Sequence, residues 1–338
     1  MNDPAVSVVL PVRDAVDTLA TAVGSVLEQQ GVRFELVVVD DGSTDGTSEL
    51  LARLAERDNR LIAIFRPAAG LVSALNAGLA AARAPLIARM DADDRCLAGR
   101  LAKQHAALCG DSALTLCSCL VQSAERDDNL GWTRYLEWLN RCTTDQQIRQ
   151  ALLIESPLPH PSVMVRKQAV LDVGGYREFD GPEDYDLWLR LAKNGGRFAK
   201  LPEVLLHWSD PPARLTRTDP RYRSEAFIEL KADYLAEAVL PSSPRRKLAI
   251  WGAGRYGKRF GRALQQRGCE IACFFDIDPK KIGRQRRGCP VLSPERGLAE
   301  YPDAMVIAAV PVVEARELIA GTLERAGYRI GKDFLICA

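Results

Sequence analysis

Apolar positions in the first third of the chain fall into short solid runs, separated by stretches where they recur every three or four residues. Val6–Leu10 is an apolar, largely β-branched run closed by Pro11, the pattern of a buried strand. Val16, Leu19, Val23, Val26 and Leu27 then share one stripe and predict a helix over about 14–30. The alternation continues with strands at Glu35–Val39, Leu61–Phe65 and Leu86–Met90, and helices carrying Leu50, Leu51 and Leu54 and then Leu71–Ala82. Elements of these lengths predict parallel βαβ units in a doubly wound sheet, where ligands bind beyond the carboxyl ends of the strands. Residues 110–155 are less regular and hold Trp132, Tyr135 and Trp138. Three prolines among polar residues predict a loop at 209–220, before a helix at about 221–239. Pro241-Ser242-Ser243-Pro244 reads as a linker, after which Lys247–Trp251 restarts as a strand. The expected domains are therefore 1–240, with 221–240 as a helical linker, and 245–338.

Composition agrees with two domains: 338 residues, 47% hydrophobic and 26% charged, at about 150 residues per domain. The net charge of +1 hides an asymmetry. Residues 1–244 hold 27 basic and 34 acidic side chains, net −7, whereas 245–338 hold 18 and 10, net +8. Oppositely charged halves imply different ligands. The nine cysteines show no CxxC spacing, so neither a zinc ribbon nor a redox dithiol is indicated, and most are expected to be buried in a reducing compartment. No basic N-terminal region leads into an apolar run, and no window nears ~18 uninterrupted apolar residues. The expectation is a cytoplasmic protein, with peripheral contact at the inner face of a membrane left open.

Charged residues at strand ends narrow the chemistry. Ser43 and Asp45 read equally well as turn formers or as part of a site. Asp91-Ala92-Asp93-Asp94 is harder to dismiss, because three carboxylates crowd into four residues after an apolar strand. Like charges so close are costly without a balancing cation, and Mg²⁺ or Mn²⁺ takes one or two carboxylates together with phosphate oxygens. Glu183-Asp184 opens an amphipathic helix with Leu187, Trp188 and Leu191 on its apolar face.

Four segments in order carry a resemblance. They are Val6–Val12, Val38-Val39-Asp40-Asp41-Gly42-Ser43-Thr44-Asp45, Gly70–Gly78 and Asp91–Asp94. Together they resemble the nucleotide-sugar-binding half of a family 2 glycosyltransferase with the GT-A fold, a mixed α/β sheet. The resemblance implies that Pro11, Arg13, Asp41 and Asn76 belong to the donor site, with Asp41 accepting from the base imide. It implies that Asp91, Asp93 and Asp94 hold Mn²⁺ or Mg²⁺ and the ribose–diphosphate. It also makes Asp184 the base that deprotonates the acceptor hydroxyl and puts Glu183, Asp186 and His160 on the acceptor side; for His160 a structural role is an equal alternative. Arg13-Asp14 departs from the family's usual aromatic and Asn, and Ala98 from its usual Pro. Inverting transfer from a nucleoside diphosphate sugar to a saccharide or lipid-linked acceptor, in bacterial polysaccharide or glycoconjugate assembly, is what the resemblance implies.

The C-terminal part has its own fingerprint. Strand Leu248–Trp251 runs into Gly252-Ala253-Gly254-Arg255-Tyr256-Gly257 and a helix to about Arg267, and Asp276 ends the next strand 22 residues after Gly254. This is the context of a dinucleotide fold, with glycines that admit a phosphate and an acid for a ribose hydroxyl. The segment resembles the Rossmann-like domains attached to bacterial sugar-modifying enzymes, which bind NAD, a nucleotide sugar or nothing. Rival functions are an NAD(P)-dependent oxidoreductase acting through this domain, or a non-catalytic nucleotide-sugar-binding module. The run Arg284-Gln285-Arg286-Arg287 reads as a solvated face, or as a contact for phosphates or an anionic membrane. Without aromatic-interleaved basic platforms, nucleic acid is not an expected partner.

Overall fold

The computed structural model describes residues 3–123, 130–210, 214–240 and 246–338. Its contacts divide the chain into two units: Met1–Ile148 with Ser156–Asp219, and Arg149–Glu155 with Pro220–Ala338. The Pro241–Pro244 stretch expected as a linker lies outside the described residues.

In the first unit, β1 (Val6–Val12), α1 (Leu19–Leu27), β2 (Phe34–Asp41), α2 (Thr47–Arg57), β3 (Leu61–Arg66), α3 (Leu71–Ala81) and β4 (Leu86–Arg89) follow the alternation of the sequence. Every residue of β1, β2 and β4 is buried, as parallel strands covered on both faces require. The chain then adds β5 (Arg95–Cys96), α4 (Arg100–Gly110), β6 (Leu114–Gln122), α5 (Leu130–Arg141) and α6 (Asp145–Leu152), whose last turn groups with the second unit. β7 (Met164–Arg166), α7 (Lys167–Asp172), α8 (Glu183–Lys193), β8 (Arg197–His207) and the short α9 (Leu215–Thr218) complete it, so part of the loop expected at 209–220 is helical.

The strands form one sheet in the order β3-β2-β1-β4-β7-β6-β8-β5. β1 to β4 pair in parallel, while β7 lies antiparallel to both β4 and β6, and β5 antiparallel to β8. The sheet is therefore mixed. Val8, Leu10, Leu36 and Val38 on one face pack with Leu19, Val23 and Leu51 of the covering helices, while Val37 and Val39 on the other face pack against Ala74.

The second unit contains α10 (Ser224–Tyr234), whose axis continues as a π-helical turn over Leu235–Val239. Then come β9 (Leu248–Trp251), α11 (Arg255–Gln266), β10 (Ile271–Phe275), β11 (Gln285–Arg286), β12 (Cys289–Leu292), α12 (Pro294–Glu300), β13 (Met305–Ala308), α13 (Val313–Arg325) and β14 (Phe334–Ile336). The order is β11-β12-β10-β9-β13-β14, parallel except at the β11 hairpin, with the strand order reversing beside β9. Ile228, Ala232 and Leu235 of the 224–239 helix enter this unit's core, together with Leu153. All nine cysteines are free and seven are buried. No helix among the described residues is long and apolar enough to cross a membrane.

Candidate active site

The carboxyl ends of β1, β2 and β4 gather the expected donor residues. Pro11 is buried in β1, and Arg13 projects outward in a 3.7 Å ion pair with Asp14. Asp14 has φ +49°, a left-handed conformation that Asp tolerates. Its Oδ1 accepts from Thr44 N at 2.7 Å, and its own N–H donates to Ser43 Oγ at 2.9 Å, which joins the loops after β1 and β2. Asp45 Oδ1 accepts from Thr47 N at 3.0 Å, so Ser43 and Asp45 both shape these loops. Asp41 is 3% exposed, and its two oxygens accept from Ala69 N and Gly70 N, each at 2.8 Å. The carboxylate thus fastens the β3–α3 loop at this end of the sheet, with lone pairs still free.

Asn76 lies on α3 and works across the chain. Its Nδ2 donates to Tyr176 O at 2.8 Å and its Oδ1 accepts from Tyr176 N at 3.0 Å, so both ends of the amide clasp the segment that leads into α8. Gly175, at φ +68°, allows this approach: a Cβ there would lie 3.0 Å from Asn76 Oδ1.

After β4, one oxygen each of Asp91, Asp93 and Asp94 lies within 4.8 Å of the others. Asp94 is 2% exposed; Ser209 N donates to its Oδ1 at 2.8 Å, while its buried Oδ2 has no hydrogen-bond partner among the described residues. Desolvation and then the Asp91 charge push Asp93 up to about 6. The same causes, joined by Asp93, hold Asp94 well above the ordinary carboxylate range. Oxygen donors this crowded, one of them buried and unpartnered, fit a hard divalent cation.

A second acidic group stands at the start of α8. Glu183, Asp184 and Asp186 occupy its first turn and Arg190 and Lys193 its last, in accord with the helix dipole. Asp184 is half-buried and accepts from its neighbour Tyr185 N at 2.7 Å. Desolvation, reinforced by Glu183, pushes its carboxyl up to about 7. His160 is buried: its Nε2 is 2.8 Å from Tyr176 Oη and its Nδ1 3.8 Å from Glu183 Oε1, and its ring meets Trp188 edge-on at 5.7 Å. Burial, and then the Arg89 charge, keep the imidazole neutral. Asp186 is occupied by Arg190 at 2.6 Å, and Arg190 also donates to Val173 O, so this pair ties α8 to the end of α7. Glu183, Asp184, His160 and Tyr176 thus form one cluster, with Asp186 bracing it.

Three residues of this region were not singled out by sequence. Arg89 closes β4, pairs with Asp91, and its charge acts on Asp93, Asp94 and Asp184. A lone cation inside the apolar run Leu86–Met90 was its only signal. Ser209 holds the acidic turn through Asp94, as above, and through a 2.5 Å bond from its Oγ to Asp93 O. Arg214, whose charge also reaches Asp93, lies 4.0 Å over the Trp208 ring. Both come from more than 100 residues away, brought by the β8–β5 pairing of Arg95 with His207, which no local pattern encodes.

In the second unit the glycines divide their work. A Cβ on Gly257 would lie 1.9 Å from Gly252 O, so this glycine permits close packing of α11 on the β9 loop. At Gly254 nothing among the described residues lies within 4 Å of such an atom, so this part of the loop is open on their side. Asp276 is 7% exposed and engaged. Its Oδ2 accepts from Ala253 N at 2.9 Å, its Oδ1 from Asp278 N at 3.0 Å, and Lys281 Nζ pairs with it at 3.1 Å.

The first unit is a mixed α/β sheet of GT-A type that carries an acidic turn after its fourth strand and a second acidic cluster opening a helix. The mannosyltransferase PcManGT from Pyrobaculum calidifontis, solved with GDP-Man and Mn²⁺, shares this fold at 18% identity with a TM-score of 0.51, over 97% of this chain and 82% of that one. The family model "Glycosyl transferase family 2" matches residues 7–174, and "CoA binding domain" matches 244–329. The amylovoran biosynthesis glycosyltransferase AmsE of Erwinia amylovora is 33% identical over 51% of this chain and 63% of its own length. An uncharacterized glycosyltransferase of Haemophilus influenzae is 30% identical over 54% of this chain and 67% of its own. The chain belongs to glycosyl transferase family 2.

Proposed function

We propose that this enzyme transfers a sugar, with inversion and in a metal-dependent manner, from a nucleoside diphosphate donor to a hydroxyl of a saccharide or lipid-linked acceptor. What carries the reading is the presence of two separate acidic groups that share the field of one buried arginine, Arg89. Asp91, Asp93 and Asp94 would hold Mn²⁺ or Mg²⁺, which when bound neutralises charge gathering on the leaving diphosphate. The Mn²⁺ and GDP-Man held by the Pyrobaculum structure support this assignment. Pro11, Arg13 and Asp41 would surround the nucleoside, with Asn76 acting through Tyr176.

Asp184 serves as the base. An acceptor hydroxyl has a very high pKa and needs a proton acceptor as it attacks, and a carboxylate that titrates at about 7 suits working pH. One metal site and one separate carboxylate suit direct displacement, which inverts the anomeric carbon. The role of AmsE in amylovoran biosynthesis supports a place in bacterial polysaccharide or glycoconjugate assembly. In the second unit the open turn at Gly254 suits a phosphate-bearing ligand better than Asp276 suits a ribose, because each oxygen of Asp276 accepts both a backbone N–H and the Lys281 ammonium.

Thermal shift against UDP-, GDP- and dTDP-sugars, with and without Mn²⁺, identifies the donor, and NMR of the product's anomeric centre reads the stereochemistry. Asp184→Asn is expected to bind donor as wild type does and to lose transfer by about 10²–10⁴-fold, the usual worth of a positioned base. Asp93→Asn is expected to weaken metal-dependent donor binding. Near-normal transfer by Asp184→Asn would overturn the assignment of the base.

A further inference from the structure

Arg89 is 4% exposed, an expensive place for a guanidinium unless its surroundings are anionic. Its backbone is held at both polar atoms: its N–H donates to Val163 O at 3.0 Å, and its carbonyl accepts from Arg100 Nη2 at 2.9 Å. Arg100 is itself 1% exposed and braced by Gln104, whose Nε2 donates to Ser162 O beside His160. The guanidinium pairs with Asp91 through Nη1, and its buried Nε has no hydrogen-bond partner among the described residues. Asp91 after β4 pairs with it directly, and the charge of Glu183, which stands beside His160 at the start of α8, also acts on it.

We propose that Arg89 is a positioning residue shared by the two acidic groups: it holds the Asp91 carboxylate beside Asp93 and Asp94, and sets a fixed positive charge against the Glu183–Asp184 turn. One guanidinium then links assembly of the donor site to the state of the base. A lysine cannot replace it fully, because an ammonium is a point charge without the planar fork. The groups that face Asp184 are Glu183 on its own helix, Arg89 from β4 and Tyr176 from the segment before α8, with neutral His160 beside Glu183. Among these Arg89 is the charge that favours ionised Asp184.

This inference rests on the reading of Asp91 and Asp184 given above, and its test separates the two. Full-length wild type, Arg89→Met and Arg89→Lys are titrated calorimetrically with UDP, GDP and dTDP in the presence of Mn²⁺. Nucleotide release from the matching donor sugars, with water as acceptor, is followed against pH. Arg89→Met is expected to weaken Mn²⁺-dependent nucleotide binding by about 10–100-fold, the range for a lost outer-shell partner. It is also expected to move the acid limb of the pH profile upward. Arg89→Lys should leave the limb near its wild-type position and recover part of the binding. A folded Arg89→Met with wild-type binding and an unmoved limb overturns the proposal, as does one that only melts earlier. Should Arg89→Met not fold, Arg89→Lys decides, and unchanged binding there overturns it. Wild type without Mn²⁺-dependent nucleotide binding sinks the metal reading itself, and this inference with it.

Discussion

At the scale of single residues, Asp184 carries the sharpest consequence. Its carboxyl titrates at about 7 because desolvation, and then Glu183, disfavour the ionised form. A base must be ionised to accept a proton, so kcat/KM should rise with pH on a limb with an apparent midpoint near 7, and flatten above it. The same shift affects stability with the opposite sign. The folded value exceeds the ordinary ~3.9, so the favourable contribution is complete below ~3.9 and is lost as pH climbs through about 7. In metal-free buffer, Asp184→Asn should therefore melt higher than wild type at pH 8, by a margin that shrinks toward pH 4. Melting curves at the two pH values check this, and a pH-independent difference would contradict it. Loss of transfer alongside gained stability marks a side chain kept for chemistry. The Asp91–Asp94 cluster was legible in the sequence, because carboxylates crowded at the end of an apolar strand demand an explanation, whereas Glu183 and Asp184 read only as an acidic helix start until the family resemblance gave them a role. Arg89, Ser209 and Arg214 were not legible, since their meaning comes from partners that the fold alone supplies.

At the scale of elements, legibility follows how local the cause is. β1 to β4 and their helices were readable because solid apolar runs and 3.6-residue stripes record burial on a covered parallel sheet. β5 and β7 are only two and three residues long, so neither has a pattern to read, yet β5 pairs with the end of β8 that leads to Ser209, and β7 directly follows the turn that carries His160. β8 contains Pro202 and pairs with β6 through register shifts near Leu120, which interrupt its alternation. The glycine loop after β9 was legible in type, and the structure separates its members. Gly257→Ala would drive a Cβ into a backbone carbonyl 1.9 Å away, so β9 and α11 must part. A loss of at least about 1–3 kcal/mol is expected, as for overpacked cores. Gly254→Ala meets no atom of the described residues within 4 Å at φ −79° and should stay within about 0.5 kcal/mol of wild type. Denaturant unfolding of the two variants makes the comparison, and equal stabilities would show that the close packing of Gly257 is not what the second unit requires.

At the scale of the whole molecule, the near-zero net charge proves to be a sum over unlike parts. The acidic excess of residues 1–244 includes the Asp91–Asp94 and Glu183–Asp186 groups, and the basic excess of 245–338 accompanies a glycine loop open at Gly254. Yet the chain is not two pieces laid end to end. Residues 149–155 group with the second unit although first-unit sequence flanks them on both sides. Leu153 packs in the core with Ile228, Ala232 and Leu235, and the buried Lys231 donates to Ile154 O at 3.0 Å, to Cys337 O at 3.0 Å and to Tyr256 Oη at 2.6 Å. A chain cut after residue 240 removes β9, α11 and β14, and with them Tyr256 and Cys337. Lys231 then loses two of these three acceptors, and the apolar face of α10 loses its cover. Each Å² of apolar surface so exposed forfeits about 25 cal/mol of stabilisation. Segment 149–155 should therefore loosen, and it leads directly into the Pro159–Ser162 turn that holds His160 against Tyr176. The truncated protein is expected to show faster amide exchange over 149–155 and reduced transfer, even though every acidic residue of the site is retained. Wild-type exchange and turnover in the truncated chain would mean that the catalytic unit does not depend on the second unit's packing of its inserted segment.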